Sequence, residues 1–419
     1  MQNFVITGGK RLSGEIELQG CKNSTLPIMA AAILVNGKCS LESCPNLTDV
    51  YSAARILNHL GCKCSIVGNR GEIDASAITG SEIPERLMRE MRSSIMFMGA
   101  ILGRMGECTF SIPGGCELGP RPIDMHLAAL AKMGAEIQDT GGRICCRMPK
   151  GRSHGARLSL SFPSVGATEN IILCAVLAEG ETVINNAARE PEICDMCRFL
   201  RSCGAKIKGD GESCIMVEGV EKLHGCEYRI MPDRIAGATY LSMTAAAGGE
   251  LILKNACIAE MEPFVSILEQ TGCFICAADN RIYLRRGGRL KAVKNRIRTM
   301  PHPGFPTDAQ AVLMAALATA EGTSVFEENI FDCRYRHTDA LIKMGADIQV
   351  MGKAAVIRGV RRLHGADIEA TDLRGGAAMA VAALAAEGTT RIGSISHIDR
   401  GYEKFEDVIT SLGGSIRRE

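Results

Sequence analysis

Glycine follows a mostly apolar residue at Leu60-Gly61, Met133-Gly134, Cys203-Gly204, Thr271-Gly272, Met344-Gly345 and Leu412-Gly413, at intervals of 68 to 73 residues. A second series, Gly37, Gly106, Gly180, Gly249, Gly322 and Gly388, runs ahead of short strand-like segments at intervals of 66 to 74. Two independent markers keeping one period define six copies of a single structural unit. At 419 residues the chain is too long for one core, and two groups of three copies fit domains of roughly 100–200 residues.

The first copy shows what the unit contains. Gly14–Leu18 alternates like a strand, and Asn23 and Ser24 offer cap side chains ahead of the helical run 26–35. Lys38–Glu42 is a second strand, and Asn46–Leu60 is an amphipathic helix ending at Gly61 in a left-handed C-terminal cap. Two short strands follow, near residues 62–67 and 71–74. The order β-α-β-α-β-β predicts an α/β fold with helices packed on sheets.

Composition narrows the function classes. A net charge of +1 without blocks of like charge gives no electrostatic footprint for nucleic acid or for a membrane surface. The apolar runs 26–35 and 377–386 are shorter than the roughly 20 residues that span a bilayer. Nineteen cysteines with no secretory leader point to a reducing cytoplasm.

The period aligns the entrances to the first helix of each copy. They hold Lys22-Asn23, Arg92-Ser93-Ser94, Ser164-Val165-Gly166, Asp233-Arg234, Thr307-Asp308 and Asp372-Leu373-Arg374. Helix N-termini present unpaired N–H groups and partial positive charge, so they attract anions. A cation there opposes the helix dipole, which marks Lys22, Arg92 and Arg374 as ligand-directed. Asp233, Asp308 and Asp372 read first as helix caps. Entrances to the second helices carry Arg189-Glu190, Arg334 and Arg400, and in the second copy the loop Ile112–Asp124. That copy spans 28 residues between its glycine markers, against 23 to 25 elsewhere. The excess lies in a Gly/Pro-rich loop holding Cys116 and Arg121, where a thiol can be reached and its pKa lowered by a neighbouring cation; the plainer alternative is an ordinary loop cysteine.

Other signals are weaker. Cys194-x-x-Cys197 and Cys273-x-x-Cys276 are each half a zinc motif, expected on a helix face and a strand as structural thiols. His154, His224 and His364 are repeat-equivalent turn residues, His126 falls within a helix, and His302 and His397 flank the Asp308 and Arg400 regions as candidate supporting groups.

The ordered set of motifs resembles the enolpyruvyl transferases, on the branch that takes a UDP-sugar acceptor, over essentially the whole chain. It comprises Cys21-Lys22-Asn23-Ser24, Met91-Arg92-Ser93-Ser94, Pro113-Gly114-Gly115-Cys116, Gly119-Pro120-Arg121-Pro122, Ser164-Val165-Gly166-Ala167-Thr168, Ala188-Arg189-Glu190-Pro191-Glu192, Pro232-Asp233-Arg234, Phe305-Pro306-Thr307-Asp308, Asp372-Leu373-Arg374 and the run 397–403. The resemblance implies a two-domain inside-out α/β barrel, three copies per domain. One domain is expected at 22–229, the other at 1–21 plus 230–419, with the active site in the cleft between them. The implied reaction moves the enolpyruvyl group of phosphoenolpyruvate to the 3′-hydroxyl of UDP-N-acetylglucosamine, releasing phosphate in the first committed step of peptidoglycan precursor synthesis. No cofactor or metal is implied.

Under the same resemblance Lys22, Asn23, Cys116, Arg121, Arg374 and Arg400 bind phosphoenolpyruvate. Asn23, Arg92, Arg121, Pro122, Ile123, Asp124, Met125, Ser164, Val165, Gly166, Asp308 and Ile330 hold the UDP-sugar. Cys116 is the expected general acid, open to alkylating epoxides such as fosfomycin, Asp308 the expected base, Lys22 a catalytic cation, and Arg334 and Glu190 supporting groups. Two departures stand out: Phe162 where some members place a lysine, and Cys333 where an asparagine is common. Three rivals share parts of this pattern: a shikimate 3-phosphate enolpyruvyl transferase, a catalytically silent UDP-sugar-binding paralogue with a regulatory role, and a repeat scaffold for nucleic acid, which neutral charge disfavours. The sequence leaves the oligomeric state open.

Overall fold

The computed structural model describes residues 2–111 and 122–419. Six four-stranded sheets make up its β-structure, all on one plan. In the second copy, Glu82–Ile83 runs parallel to Glu107–Ser111, which pairs antiparallel with Arg143–Arg147, which pairs antiparallel with Glu136–Thr140. A helix fills the crossover between the parallel strands, and a second helix precedes the hairpin. The α/β fold of six repeats expected from the periodicity is therefore present.

Strand membership differs from sequence order in three places. Leu12–Glu17 precedes the first helix, yet it pairs in parallel with Gly249–Lys254 of the fourth copy. The matching place in the first copy, beside Lys38–Glu42, is taken by Glu227–Arg229. In the last sheet the N-terminal strand Phe4–Thr7 sits between Thr389–Gly393 and Ser415–Arg418, antiparallel to both. Leu12–Glu17 and Glu227–Arg229 lie just before the two points where the chain passes from one unit to the other, and Phe4–Thr7 joins a sheet formed by the C-terminal end of its own unit. Periodicity alone assigns strands to the nearest helix in sequence and cannot register such exchanges.

By backbone contacts the chain divides into two compact units. One comprises residues 20–111 and 122–231, the other residues 2–19 and 232–419. In the second of these, three helices, Arg234–Ala247, Thr307–Leu317 and Leu373–Ala385, pack pairwise on one another. They are buried almost all round and rich in alanine and glycine, the signature of an interior helix rather than a surface one. The sheets and second helices surround them. The second helices are amphipathic: Pro191–Ser202 buries Ile193, Met196, Cys197, Phe199 and Leu200 along one stripe. In the other unit Phe97–Met105 packs on Val165–Ala175, and Gly99 permits the approach. A Cβ there would stand 2.2 Å from the Asn170 carbonyl oxygen. Each unit has its own continuous apolar core.

Candidate active site

The aligned first-helix entrances are helix N-termini in the structure. Lys22 is the first residue of Lys22–Ala31, Arg92 opens the short 3-10 helix Arg92–Met96, and Ser164 is the N-cap of Val165–Ala175, its hydroxyl accepting from Ala167 N at 3.3 Å. Asp233 and Asp372 cap their helices, each accepting from two backbone N–H groups at 2.9–3.0 Å. Two cap expectations fail. Asn23 and Ser24 lie inside their helix, whose N-cap is Cys21 without a side-chain cap bond. Ser24 is drawn instead to the buried carboxylate of Asp195. Asp308 is likewise past the N-cap, Pro306, and its carboxylate turns to two arginines.

That carboxylate is the centre of a charged network. Arg334 Nη2 donates to Asp308 Oδ1 at 2.7 Å and to the Thr307 carbonyl at 3.1 Å, while Arg374 Nη2 donates to Asp308 Oδ2 at 3.0 Å. Both guanidinium groups are buried, with side-chain exposure of 2% and 4%, whereas Asp308 keeps 26%. Arg374 Nη1 also donates to Tyr402 Oη at 3.2 Å, and Tyr402 shares a 2.7 Å hydrogen bond with Thr239. Burial opposes the Arg374 charge, but Asp308, Tyr402 and Asp233 outweigh it and hold its pKa above the ordinary value. Below the arginines His337 is fully buried, its Nδ1 3.1 Å from the Arg334 carbonyl.

Glu328 organises the neighbouring turn. One carboxylate oxygen accepts from Ile330 N at 2.8 Å and Phe331 N at 3.1 Å, and the other accepts from Thr307 Oγ1 at 3.0 Å. A single buried side chain thus fixes both the Ile330 backbone and the helix start carrying Asp308. Cys333 is exposed just before Arg334. Arg400 follows the short helix Ser396–Asp399 as its C-cap, rather than opening a helix.

In the other unit Lys22 Nζ lies 3.4 Å from Asp49 Oδ2, with Asp49 almost wholly buried. Glu190 is the N-cap of Pro191–Ser202. Burial, reinforced by Glu192 and Glu190, pushes the Glu169 carboxyl well above its usual range. Pro122 and Ile123 lead into the helix 124–132, whose first residues are Asp124 and Met125, and Ser161 Oγ donates to Met125 Sδ at 3.5 Å. Asn170 ties three segments, with Nδ2 3.0 Å from His126 Nδ1 and 3.1 Å from the Gly166 carbonyl, and Oδ1 accepting from Gly99 N at 2.7 Å. A Cβ on Gly166 would meet His126 Cε1 at 3.1 Å, so Val165-Gly166 rests against that ring. Phe162 is 41% exposed. Cys116 and Arg121 lie outside the described residues.

The sequence singles out none of Asp49, Glu328, His337 or Asn170, and places His126 only within a helix. Each of these five side chains touches a residue that it does single out, or that residue's neighbour. A buried polar residue without a local motif leaves no sequence signal, so only packing reveals them.

The two buried histidines set a pH dependence. Burial lowers both His126 and His337 from 6.5 to about 4, so both are neutral in the folded protein at neutral pH. Their contribution to stability is complete above pH 6.5 and is lost as pH falls toward about 4, because the unfolded chain takes the protons first. Each histidine is expected to add a slope on the order of 1 kcal/mol per pH unit across that window. Urea midpoints from pH 7 to 4.5 check this, and His126→Gln, which retains an acceptor for Asn170, should flatten the profile. An unchanged profile would place the acid sensitivity elsewhere.

Residues 6–409 match the family model for EPSP synthase (3-phosphoshikimate 1-carboxyvinyltransferase). The fold is shared with the enolpyruvyl transferase NikO from Streptomyces tendae, at a TM-score of 0.88 and 23% identity over 100% of this chain and 98% of that one. It is shared also with EPSP synthase from Acinetobacter baumannii, at 0.78 and 20% over 100% of both chains. The class is thus that of the enolpyruvyl transferases. Curated relatives narrow it: UDP-N-acetylglucosamine 1-carboxyvinyltransferase 2 of Caldanaerobacter subterraneus subsp. tengcongensis is 50% identical over 100% of both chains, and UDP-N-acetylglucosamine 1-carboxyvinyltransferase of Zymomonas mobilis 44% identical over 100% of this chain and 99% of its own. The chain belongs to the UDP-N-acetylglucosamine 1-carboxyvinyltransferase family. Among the described residues no helix is long and apolar enough to cross a membrane.

Proposed function

We infer that this chain transfers the enolpyruvyl group of phosphoenolpyruvate to the 3′-hydroxyl of UDP-N-acetylglucosamine, releasing inorganic phosphate and supplying peptidoglycan precursor synthesis. Identity of 44–50% along the full length of relatives bearing that activity in their names carries the reading. The donor has a carboxylate and a phosphate, and Lys22, Arg121, Arg374 and Arg400 supply fixed cations for them, three with forks able to bind either anion in bidentate fashion. Asn23 and Cys116 complete that set.

The chemistry needs one proton delivered and one removed in each half. Cys116 gives a proton to C3 of the donor while the sugar hydroxyl adds to C2, forming a tetrahedral phosphate-bearing intermediate. Asp308 accepts the hydroxyl proton. Phosphate then leaves C2 as C3 loses a proton, which restores the enol double bond in the product ether. Arg334 and Arg374 each hold one oxygen of the Asp308 carboxylate, which fixes it at the helix start. The acceptor is held by Arg92, the stretch 121–125, Ser164–Gly166 and the Ile330 turn, with Arg334 and Glu190 as supports.

Phosphate release from purified protein, with each acceptor in turn, tests the assignment. Turnover is expected with UDP-N-acetylglucosamine; release with shikimate 3-phosphate alone would overturn it, and ligand binding without turnover would mark a silent paralogue. The Glu328 geometry predicts a second result. Glu328→Ala should raise KM for the UDP-sugar about tenfold with a smaller effect on kcat, since it frees the Ile330 turn while leaving both arginines on Asp308. Equal losses in kcat and kcat/KM would instead assign Glu328 to the transition state.

A further inference from the structure

Cys39, Cys203 and Cys226 come from three distant parts of the sequence and meet at one corner of their unit, with all three sulfur atoms within 4.8 Å of one another. Cys203 Sγ and Cys226 Sγ are 3.4 Å apart. Cys203 is the C-cap of helix Pro191–Ser202, Cys39 lies on strand Lys38–Glu42, and Cys226 immediately precedes strand Glu227–Arg229, its carbonyl accepting from Ser40 N at 2.9 Å. Cys39 and Cys203 are buried, and Cys226 is half-buried, leaving an approach from solvent.

The internal repeat shows that the fold does not require sulfur here. The same corner is built by the same backbone bonds in other copies: His224 N to Cys203 O at 2.9 Å corresponds to His154 N to Met133 O at 3.1 Å, Lys291 N to Thr271 O at 2.8 Å and His364 N to Met344 O at 3.0 Å. The bond from Ser40 N to Cys226 O likewise corresponds to those from Val183 N to Ala156 O and from Arg391 N to Ala366 O. Residues equivalent to Cys203, Cys226 and Cys39 are therefore Met133, Ala156 and Thr182, then Thr271, Val293 and Ser324, then Met344, Ala366 and Thr390. Ordinary packing is satisfied by Met, Ala and Thr. Three thiols converging in one copy alone call for a different reason.

We propose that Cys39, Cys203 and Cys226 form a three-sulfur site for a soft d10 metal ion, copper(I) or zinc(II). Thiolate sulfurs about 2.3 Å from a central ion stand about 4 Å apart, so the observed trio needs adjustments of less than about 1 Å. Copper(I) is satisfied by three sulfurs, whereas zinc(II) takes a solvent molecule as fourth ligand from the Cys226 side. Each thiol that binds releases its proton as the ion takes up the thiolate. The site joins the C-terminal end of a helix to two strands of another sheet, so ion binding would add directly to the stability of the unit.

The test uses the full-length, fully reduced chain, stripped of metal, with copper(I) or zinc(II) added under argon. After desalting, one ion per chain should remain, and the melting temperature should rise by about 5 °C. Cys226→Ser should weaken uptake at least about tenfold. The triple variant Cys39→Thr, Cys203→Met and Cys226→Ala copies the corner of two other copies, so it should fold and turn over normally while retaining no ion. Replacing the exposed Cys276 should change nothing. The proposal falls if the unaltered chain holds neither ion, if the triple variant holds as much, or if air converts Cys203 and Cys226 to a disulfide in a chain that takes up no metal.

Discussion

Asp308→Ala is expected to lower kcat by about 10²–10⁴-fold and to destabilise the folded protein at the same time. The two effects have separate causes. As the proposed proton acceptor, Asp308 has no substitute at its helix start: Thr307 beside it donates to Glu328 and is too weak a base. As a structural group, it balances two guanidinium ions whose side chains are 2% and 4% exposed. Removing one member of a buried ion network leaves uncompensated charge, at a cost of about 3 kcal/mol for a carboxylate that is itself partly solvated. Asp308→Asn separates these roles, because the amide oxygen still accepts one N–H while the charge and proton affinity are gone. Its kcat should fall as far as that of the alanine variant, with a smaller drop in urea midpoint. Wild-type-like phosphate release in Asp308→Asn would reduce the residue to a clamp for Arg334 and Arg374.

The same residue shows where the sequence is legible and where it stops. The period aligned Thr307-Asp308 with five other helix starts and made an acidic residue there look like a cap. Asp233 and Asp372 do cap, because each sits one position before its helix. Asp308 sits two positions further on, second in its helix, and its side chain leaves the backbone for the arginines. A two-residue offset changes the chemistry, and sequence boundaries are not that sharp. The strand exchange has a similar origin. Leu12–Glu17 has the pattern of a strand, but its partner is set by where the chain passes between halves, a non-local fact that periodicity does not carry.

Buried polar residues were the least legible. Asn170, in the middle of an apolar helix, reads as an interruption, yet it joins three segments around Gly166. Glu328 follows a strand with nothing to set it apart from a surface glutamate. The three thiols are 23 residues or more apart in sequence and match no spacing motif, although the repeat exposes them once the backbone bonds define equivalent positions. Periodicity locates positions, and side-chain environment decides what they do.

Cys116→Ala should all but abolish turnover, with a loss on the order of 10³-fold or more, and leave the melting temperature within a degree or two. The thiol is proposed to deliver the proton that makes C2 electrophilic, and a methyl group cannot. Little stability is at risk, because Cys116 stands on a Gly/Pro-rich insertion that the other five copies lack, so the core is complete without it. Cys116→Asp supplies the comparison: a carboxyl group of similar length can carry the same proton but is a poor nucleophile toward an epoxide. This variant should retain measurable turnover, with its pH optimum moved toward acid because its catalytic group titrates lower than a thiol. It should also keep that activity after incubation with fosfomycin, while the unaltered chain is inactivated and gains the mass of one inhibitor. Turnover near the unaltered level in Cys116→Ala would remove the thiol from proton transfer. Inactivation of Cys116→Asp at the unaltered rate would move the alkylated group to another of the nineteen cysteines, with exposed Cys333, one residue from Arg334, the first to examine.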